Sequence, residues 1–282
     1  MRLGATLVLC ASACACSGET RVDLLAPSAP VTTQPDSTPD AANPNGGVSG
    51  TADAAPDAAV ESDPHLIHRY SFSGKDPQVV DSMGGPAGTL ENGAMLDGNG
   101  HAVLDGKDDF VDLPDGLISG LSSATLCSWL SWNGGHAWQR VFDFGSNDGD
   151  AGDVGNATSS IFATVLRNPE LGPSAAFENA DGILGSVDSS TQFPVLTKTS
   201  LAVVLDPQKK EMRLYVAGKR IGAGNFGKLS AINDVNDWLG RSQWVQDLYL
   251  GGSLDEFRIY DAALDDAAIA AIDAAGADAR GP

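Results

Sequence analysis

What constrains this chain most is a succession of short apolar runs, set about ten to fifteen residues apart from position 66 onward. They occupy residues 66–72, 79–81, 101–105, 109–113, 124–132, 139–144, 160–166, 175–178, 182–188, 200–206 and 211–217. The series closes with Trp238-Leu239 and a long run over 253–261. Gly, Asp, Asn and Pro separate the runs, and these residues turn the backbone and end strands. The pattern predicts an all-β sandwich of two packed antiparallel sheets. Asp206-Pro-Gln-Lys-Lys210 reads as a hairpin loop between two of the runs. One short helix is expected near the C-terminus, over 265–275. Its acidic residues sit in the first turn, where the helix dipole favours them, and Ile269 and Ile272 share one side.

The closing run alternates. Leu254, Glu256, Arg258 and Tyr260 are expected on one face, and Asp255, Phe257 and Ile259 on the other. Charges then fall on both faces, so this strand needs partners for them as well as a core for its apolar groups. An ion pair between Glu256 and Arg258, with Arg241 as a further partner, is the simplest arrangement.

Upstream of His65 the chain changes character. Residues 17–63 are rich in Ala, Pro, Asp, Thr, Ser and Gly, hold no aromatic residue, and set eight acidic residues against Arg21. Such a segment cannot bury enough apolar surface to offset its chain entropy, and it reads as a disordered, extended linker. Residues 1–16 carry a basic Arg2, an apolar stretch from Leu3 to Leu9 too short to span a bilayer, and then small residues around cysteines. This resembles a bacterial lipoprotein signal, in which a Cys after small residues is lipidated and becomes the mature N-terminus. Cys16 is the expected lipid-bearing residue and Cys14 the alternative. The domain, 64–276 with a tail at 277–282, would then be extracytoplasmic, held to the bacterial envelope through an N-terminal lipid anchor. An ordinary signal cleaved after Ala13 or Ala15 would release it as a secreted protein.

Three of the four cysteines lie in the signal, which leaves Cys127 alone in the domain. No internal disulfide can form, so stability must come from the core, and Cys127 is expected as a buried small hydrophobe. The chain carries 37 acidic and 17 basic residues, a formal net charge of −20. A surface of that sign repels phosphate backbones, which argues against nucleic acid as a partner, and suits cations such as Ca²⁺.

A set of blocks then recurs in order. It begins with His68-Arg-Tyr-Ser-Phe72, Asp81-Ser-Met-Gly-Gly85, Gly88-Thr-Leu90 and Leu104-Asp-Gly106. Phe110-Val-Asp-Leu-Pro114, Thr125-Leu-Cys-Ser-Trp129, Arg140-Val-Phe-Asp-Phe-Gly145 and Arg213-Leu-Tyr-Val-Ala-Gly218 follow. Leu239-Gly-Arg-Ser242 and Gly252-Ser-Leu-Asp-Glu-Phe-Arg-Ile-Tyr260 end it. Over about residues 65–275 the chain resembles the laminin G-like jelly-roll domains of the concanavalin A-like lectin/glucanase fold. The resemblance implies a jelly-roll sandwich, a core role for Trp129, and a non-catalytic binding function toward a glycan or a cell-surface protein. It also implies one structural Ca²⁺, with carboxylates from Asp81 and Asp255 and carbonyls near Gly84 or Gly85. On the residues alone, Asp81 capping a turn and Asp255 pairing with a basic residue serve equally well.

Two loops carry the ligand expectation. The first holds Trp132, His136, Trp138 and Arg140, and the second holds Arg241, Gln243 and Trp244. Indole beside Asn, Gln, Arg and His suits a sugar, which stacks on the ring and bonds through its hydroxyls. The competing reading has these Trp residues filling the sandwich rim. Glycosidases of this fold use paired acids of the form Glu-x-Asp-x-x-Glu, and no such pair occurs. Asp143 is the only comparable strand acid and has no partner in register. No nucleophile elbow, His-Glu-x-x-His motif or phosphate loop is present. The sequence therefore points to a binding module, with a divergent glycan hydrolase or lyase, or a purely structural envelope protein, as the alternatives.

Overall fold

The computed structural model describes residues 65–75, 77–149 and 155–279. The expected signal, its Cys16 and Cys14, the linker and the last residues of the tail lie outside the described residues. The first half of the domain supplies β1 (Leu66–Tyr70), β2 (Gln78–Val79), β3 (Gly88–Glu91), β4 (Met95–Leu96), β5 (Ala102–Asp105), β6 (Phe110–Leu113), β7 (Ala124–Trp132) and β8 (Arg140–Asn147). The second half supplies β9 (Ala157–Thr164), β10 (Ser174–Asn179), β11 (Gly182–Asp188), β12 (Thr199–Asp206), β13 (Glu211–Val216), β14 (Lys219–Asn225), β15 (Asn236–Leu239), β16 (Gly251–Tyr260) and the helix α1 (Asp266–Ala275).

These strands form two sheets. One runs β14-β13-β12-β7-β16-β5-β4, with β1 also on β16, and the other runs β11-β10-β9-β8-β15-β6-β3-β2. Every pairing between them is antiparallel. The expected sandwich is therefore present. Its core lies between the inner faces, where Phe142, Phe144 and Phe257 meet with ring centroids 5.5 to 6.0 Å apart. Burying each such ring contributes roughly 1.5–3 kcal/mol.

A second, smaller core lies on the outer face of the first sheet. Ile269 and Ile272 of α1 pack there with Trp129, Val204, Tyr215 and Tyr260. Asp265 caps the helix, its side chain accepting from Ala268 N at 2.8 Å, and Gly276 ends it with a positive φ of 84°. Cys127 belongs to this layer as a free, buried thiol, and burial pushes its pKa up to about 12.

The closing strand is β16, and it departs from simple alternation. A register shift between Leu254 and Glu256 on β7 marks a bulge at Asp255. Leu254 consequently faces the main core with Phe257 and Ile259, and not with Glu256 and Arg258. The expected ion pair forms, with Arg258 Nε 2.7 Å from Glu256 Oε1, but the second guanidinium on Glu256 is Arg69 of the neighbouring β1. Arg241 lies elsewhere, stacked on Trp238 and Phe110 at 4.0 and 4.5 Å.

Three strands escape the sequence pattern, namely β3, β4 and β14. In β14 the cause is glycine. A Cβ at Gly224 would strike Ser186 O, and one at Gly222 would strike Val187, both on β11. Bare backbone is what lets the edges of the two sheets close on each other here, and it also removes the β-propensity a reader of the sequence looks for.

Candidate ligand-binding site

The site is built around Arg140 at the start of β8. Strict alternation would send Arg140 into the core beside Phe142. A register shift between these two residues on β9 turns Arg140 outward, to the same side as Asp143. The guanidinium is only 1% exposed, and every side of it is used. Nε donates to Asp143 Oδ2 at 3.1 Å, NH2 pairs with Asp247 Oδ2 at 2.7 Å, and NH1 donates to Trp138 O at 3.0 Å. Its Cζ lies 3.9 Å from the Phe162 ring centre and 5.4 Å from that of Trp138.

Asp143 beneath it is fully buried. Its Oδ2 also accepts from Gln243 N at 3.1 Å and Ser242 Oγ at 3.3 Å, while Oδ1 has no partner. Burial pushes this carboxyl up to about 7, against the pull of Arg140.

The segment between β15 and β16 crosses over this cluster. Leu250 N donates to Gly240 O at 2.9 Å and closes the loop at its base. Gln243 inside it is wholly buried. Its Oε1 accepts from Asn147 and Asn236, and its Nε2 donates to Asp143 O and Asn236 O. The next residue, Trp244, is half-buried, and its Nε1 donates to Glu178 Oε1 at 2.7 Å. That same Glu178 oxygen accepts from Ser160 Oγ at 3.1 Å.

Trp138 stands on the opposite side. Its φ is 69°, a left-handed conformation that a bulky side chain avoids and that marks strain held in place by its surroundings. Those surroundings are specific. Trp138 N donates to Leu166 O at 2.8 Å, and the ring lies between Arg140 and Arg167, with Arg167 Cζ at 5.3 Å.

The result is an open cleft of about 510 Å³, lined by Trp138, Arg140, Phe162, Glu178, Gly182, Ile183, Trp244, Gln246 and Asp247. Its size suits a small ligand. Three of the expected ligand residues meet here, Trp138, Arg140 and Trp244. The other four do not. Trp132 is core, its Nε1 held by Gln139 Oε1 at 2.9 Å. Arg241 is the stacked side chain described above, Gln243 bonds within the fold, and His136 is exposed outside the lining. Phe162, Glu178, Ile183, Gln246 and Asp247 were not singled out by sequence. Of these, Asp247 carried a signal, as the acid ending the second aromatic loop.

The two expected metal ligands each bond protein groups. Asp81 Oδ1 accepts from Arg69 N and Met83 N, each at 2.9 Å, and Oδ2 bonds His68 Nδ1 at 2.7 Å. Asp255 Oδ1 lies 2.8 Å from Lys198 Nζ and 3.1 Å from His101 Nε2. An ammonium in that position opposes a dication. Among the described residues, the acids that do cluster closely enough for a metal are Asp105, Asp108 and Asp109, and Lys107 already pairs with the first of them.

Residues 105–270 match the laminin G-type family of the concanavalin A-like lectin/glucanases superfamily. The chain belongs to that superfamily. Among solved structures, this superfamily member is similar to domain 4 of AbnA, an extracellular arabinanase from Geobacillus stearothermophilus, in complex with arabinotriose. The two share 22% identity at a TM-score of 0.58, over 73% of this chain and 97% of that one. Trypanosoma rangeli sialidase in complex with sialic acid aligns at 13% identity and a TM-score of 0.56, over 77% of this chain and 34% of that one. Botulinum neurotoxin type C, whose cell entry depends on interaction with two ganglioside molecules, aligns at 14% and 0.55, over 75% and 51%. At these identities the likeness is one of fold. No curated protein sequence matches the chain.

Proposed function

We propose that this domain is a non-catalytic binding module that takes carbohydrate in the cleft between Trp138 and Trp244. The observation that carries the reading is Trp138 itself, a half-buried indole held at φ 69° on the rim of the cleft. Backbone strain of this kind costs of order 1–3 kcal/mol and persists where the fold holds a side chain for a task. Two indoles flanking carboxylates supply stacking faces and hydroxyl acceptors, the chemistry a sugar needs. The arabinotriose held by the similar arabinanase domain supports the same ligand class. Against hydrolysis, Asp143 has no solvent exposure, and Glu178 and Asp247 are tied to Trp244 and Arg140. Calorimetric titration of the purified protein with neutral oligosaccharides, repeated with Trp244→Ala and Trp138→Ala, tests the reading. Binding lost in both variants supports it, and binding unaffected by either one removes it. Release of reducing ends from any bound chain would favour the hydrolase alternative.

The reading extends to location. The domain works outside the cytoplasm, on an acidic linker lipidated at Cys16. The sequence of residues 1–63 supports this. Fatty-acid labelling of wild type and Cys16→Ser checks it. Label retained by the variant would move the anchor to Cys14.

A further inference from the structure

We infer that the cleft selects uncharged glycan chains and turns away those bearing carboxylates or sulfates, an inference that rests on the carbohydrate reading above. Among the described residues, Arg140 is the only cation lining the cleft. It cannot greet an anion, because it is 1% exposed and already holds Asp143, Asp247 and Trp138 O. The nearby Arg167 is engaged too, 2.5 Å from Asp188 Oδ1. The lining carboxylates are differently placed. Glu178 uses Oε1 for Trp244 and Ser160, and Asp247 uses Oδ2 for Arg140 and Ser242. Among the described residues no hydrogen bond or ion pair reaches Glu178 Oε2 or Asp247 Oδ1, so each cleft carboxylate keeps an oxygen for an incoming donor.

A sugar hydroxyl is such a donor, and a charge-assisted bond to a carboxylate is among the stronger ones available to it. A ligand carboxylate has no proton to give at neutral pH. It would also enter beside two anions while the nearby cations, Arg140 and Arg167, are screened by their partners. Like charges brought together in a partly desolvated site cost binding heavily, about tenfold or more in affinity. Burial raises the pKa of Asp247, which follows from the desolvation that makes a second anion there unfavourable. The whole chain acts in the same direction through its net charge of −20.

The test uses matched pairs on the full chain: lactose against sialyllactose, and xylo- or arabino-oligosaccharides against the same chains carrying uronic acid. The expected result is binding confined to neutral members, at least about tenfold tighter than any acidic counterpart. It should change less than about twofold between low and physiological salt. Glu178→Gln and Asp247→Asn should narrow the neutral-over-acidic preference by about tenfold each. Acidic members that bind as tightly as their neutral partners would overturn the inference and leave the carbohydrate reading standing. Absence of binding to every chain, neutral and acidic, would overturn both.

Discussion

The two outer faces of the sandwich carry the same device and use it differently. On one, Arg140 sits on buried Asp143 and part-buried Asp247 with aromatic rings against its plane. On the other, Arg258 sits on buried Glu256 with the Trp129 ring 4.8 Å from its Cζ. Arg258 is then sealed. Its NH2 donates to Ala277 O at 2.7 Å and Ala279 O at 2.6 Å, and α1 and the segment after it cover the site. Arg69 adds a bond to Ala277 O at 3.2 Å. Among the described residues no helix lies over Arg140. A loop crosses part of the cluster and leaves two indoles and two carboxylates facing an open cleft. A buried guanidinium is thus no sign of function by itself. What covers it decides whether it fastens the chain to itself or shapes a place for another molecule.

The sharpest way to break this comparison is to truncate the sealed side. Arg258→Met leaves Glu256 buried beside one guanidinium instead of two, and Trp129→Ala empties the layer under α1. Each should cost about 3–5 kcal/mol in urea unfolding without changing ligand affinity in the folded fraction. A loss of affinity at constant stability in either variant would refute the division of labour. On the open side, Trp244→Ala should behave in the opposite way. It should weaken oligosaccharide binding about tenfold to a hundredfold while shifting stability by about 1 kcal/mol or less.

Protonation sharpens the comparison further. Asp143 is raised from 3.8 to about 7 in the folded protein. A carboxyl raised on folding stabilises fully below its unfolded value, and this contribution is lost as pH climbs toward the folded value. Wild-type stability should therefore fall between pH 4 and 7 by roughly 1.4 kcal/mol per unit from this group, and Asp143→Asn should flatten that part of the slope. Parallel curves for the two proteins would show that Asp143 stays ionised under Arg140. A smaller effect concerns Trp138. Because its φ is positive, Trp138→Gly should be about 1 kcal/mol more stable than Trp138→Ala, the reverse of the usual order in extended chain. Smallest of all is calcium. Millimolar Ca²⁺ should leave the melting temperature of wild type and Asp255→Asn alike, since Lys198 and His101 already hold Asp255 Oδ1.

The fold was legible because its signals are local. Turn residues at short intervals, the apolar runs that become β7 and β12, and the acidic start of the helix at Asp265 each report on their own few neighbours. Glycine-rich β14 was not, because its glycines answer to β11 across the sandwich. The site was half legible. The aromatic loops drew attention to Trp138, Arg140 and Trp244, yet the same signal covered Trp132, which turned inward, and Gln243, which the fold consumes. Glu178 had no local mark, being one acid in a short strand until Trp244, 66 residues later, lays its indole nitrogen on it.

By itself, then, the sequence determined the class of architecture, two antiparallel sheets closed by a strand read over 253–261 with one terminal helix. Turn chemistry and a period of two dictate these from residue to residue. Tertiary structure decided the rest. Bulges at Arg140 and Asp255 reversed which side chains face inward, and Arg69 replaced Arg241 beside Glu256. One aromatic cluster was buried and the other left open. A bulge slips the register by a single residue, and an ion pair forms with whichever charge the sheet brings alongside, so both depend on neighbours far away in the chain.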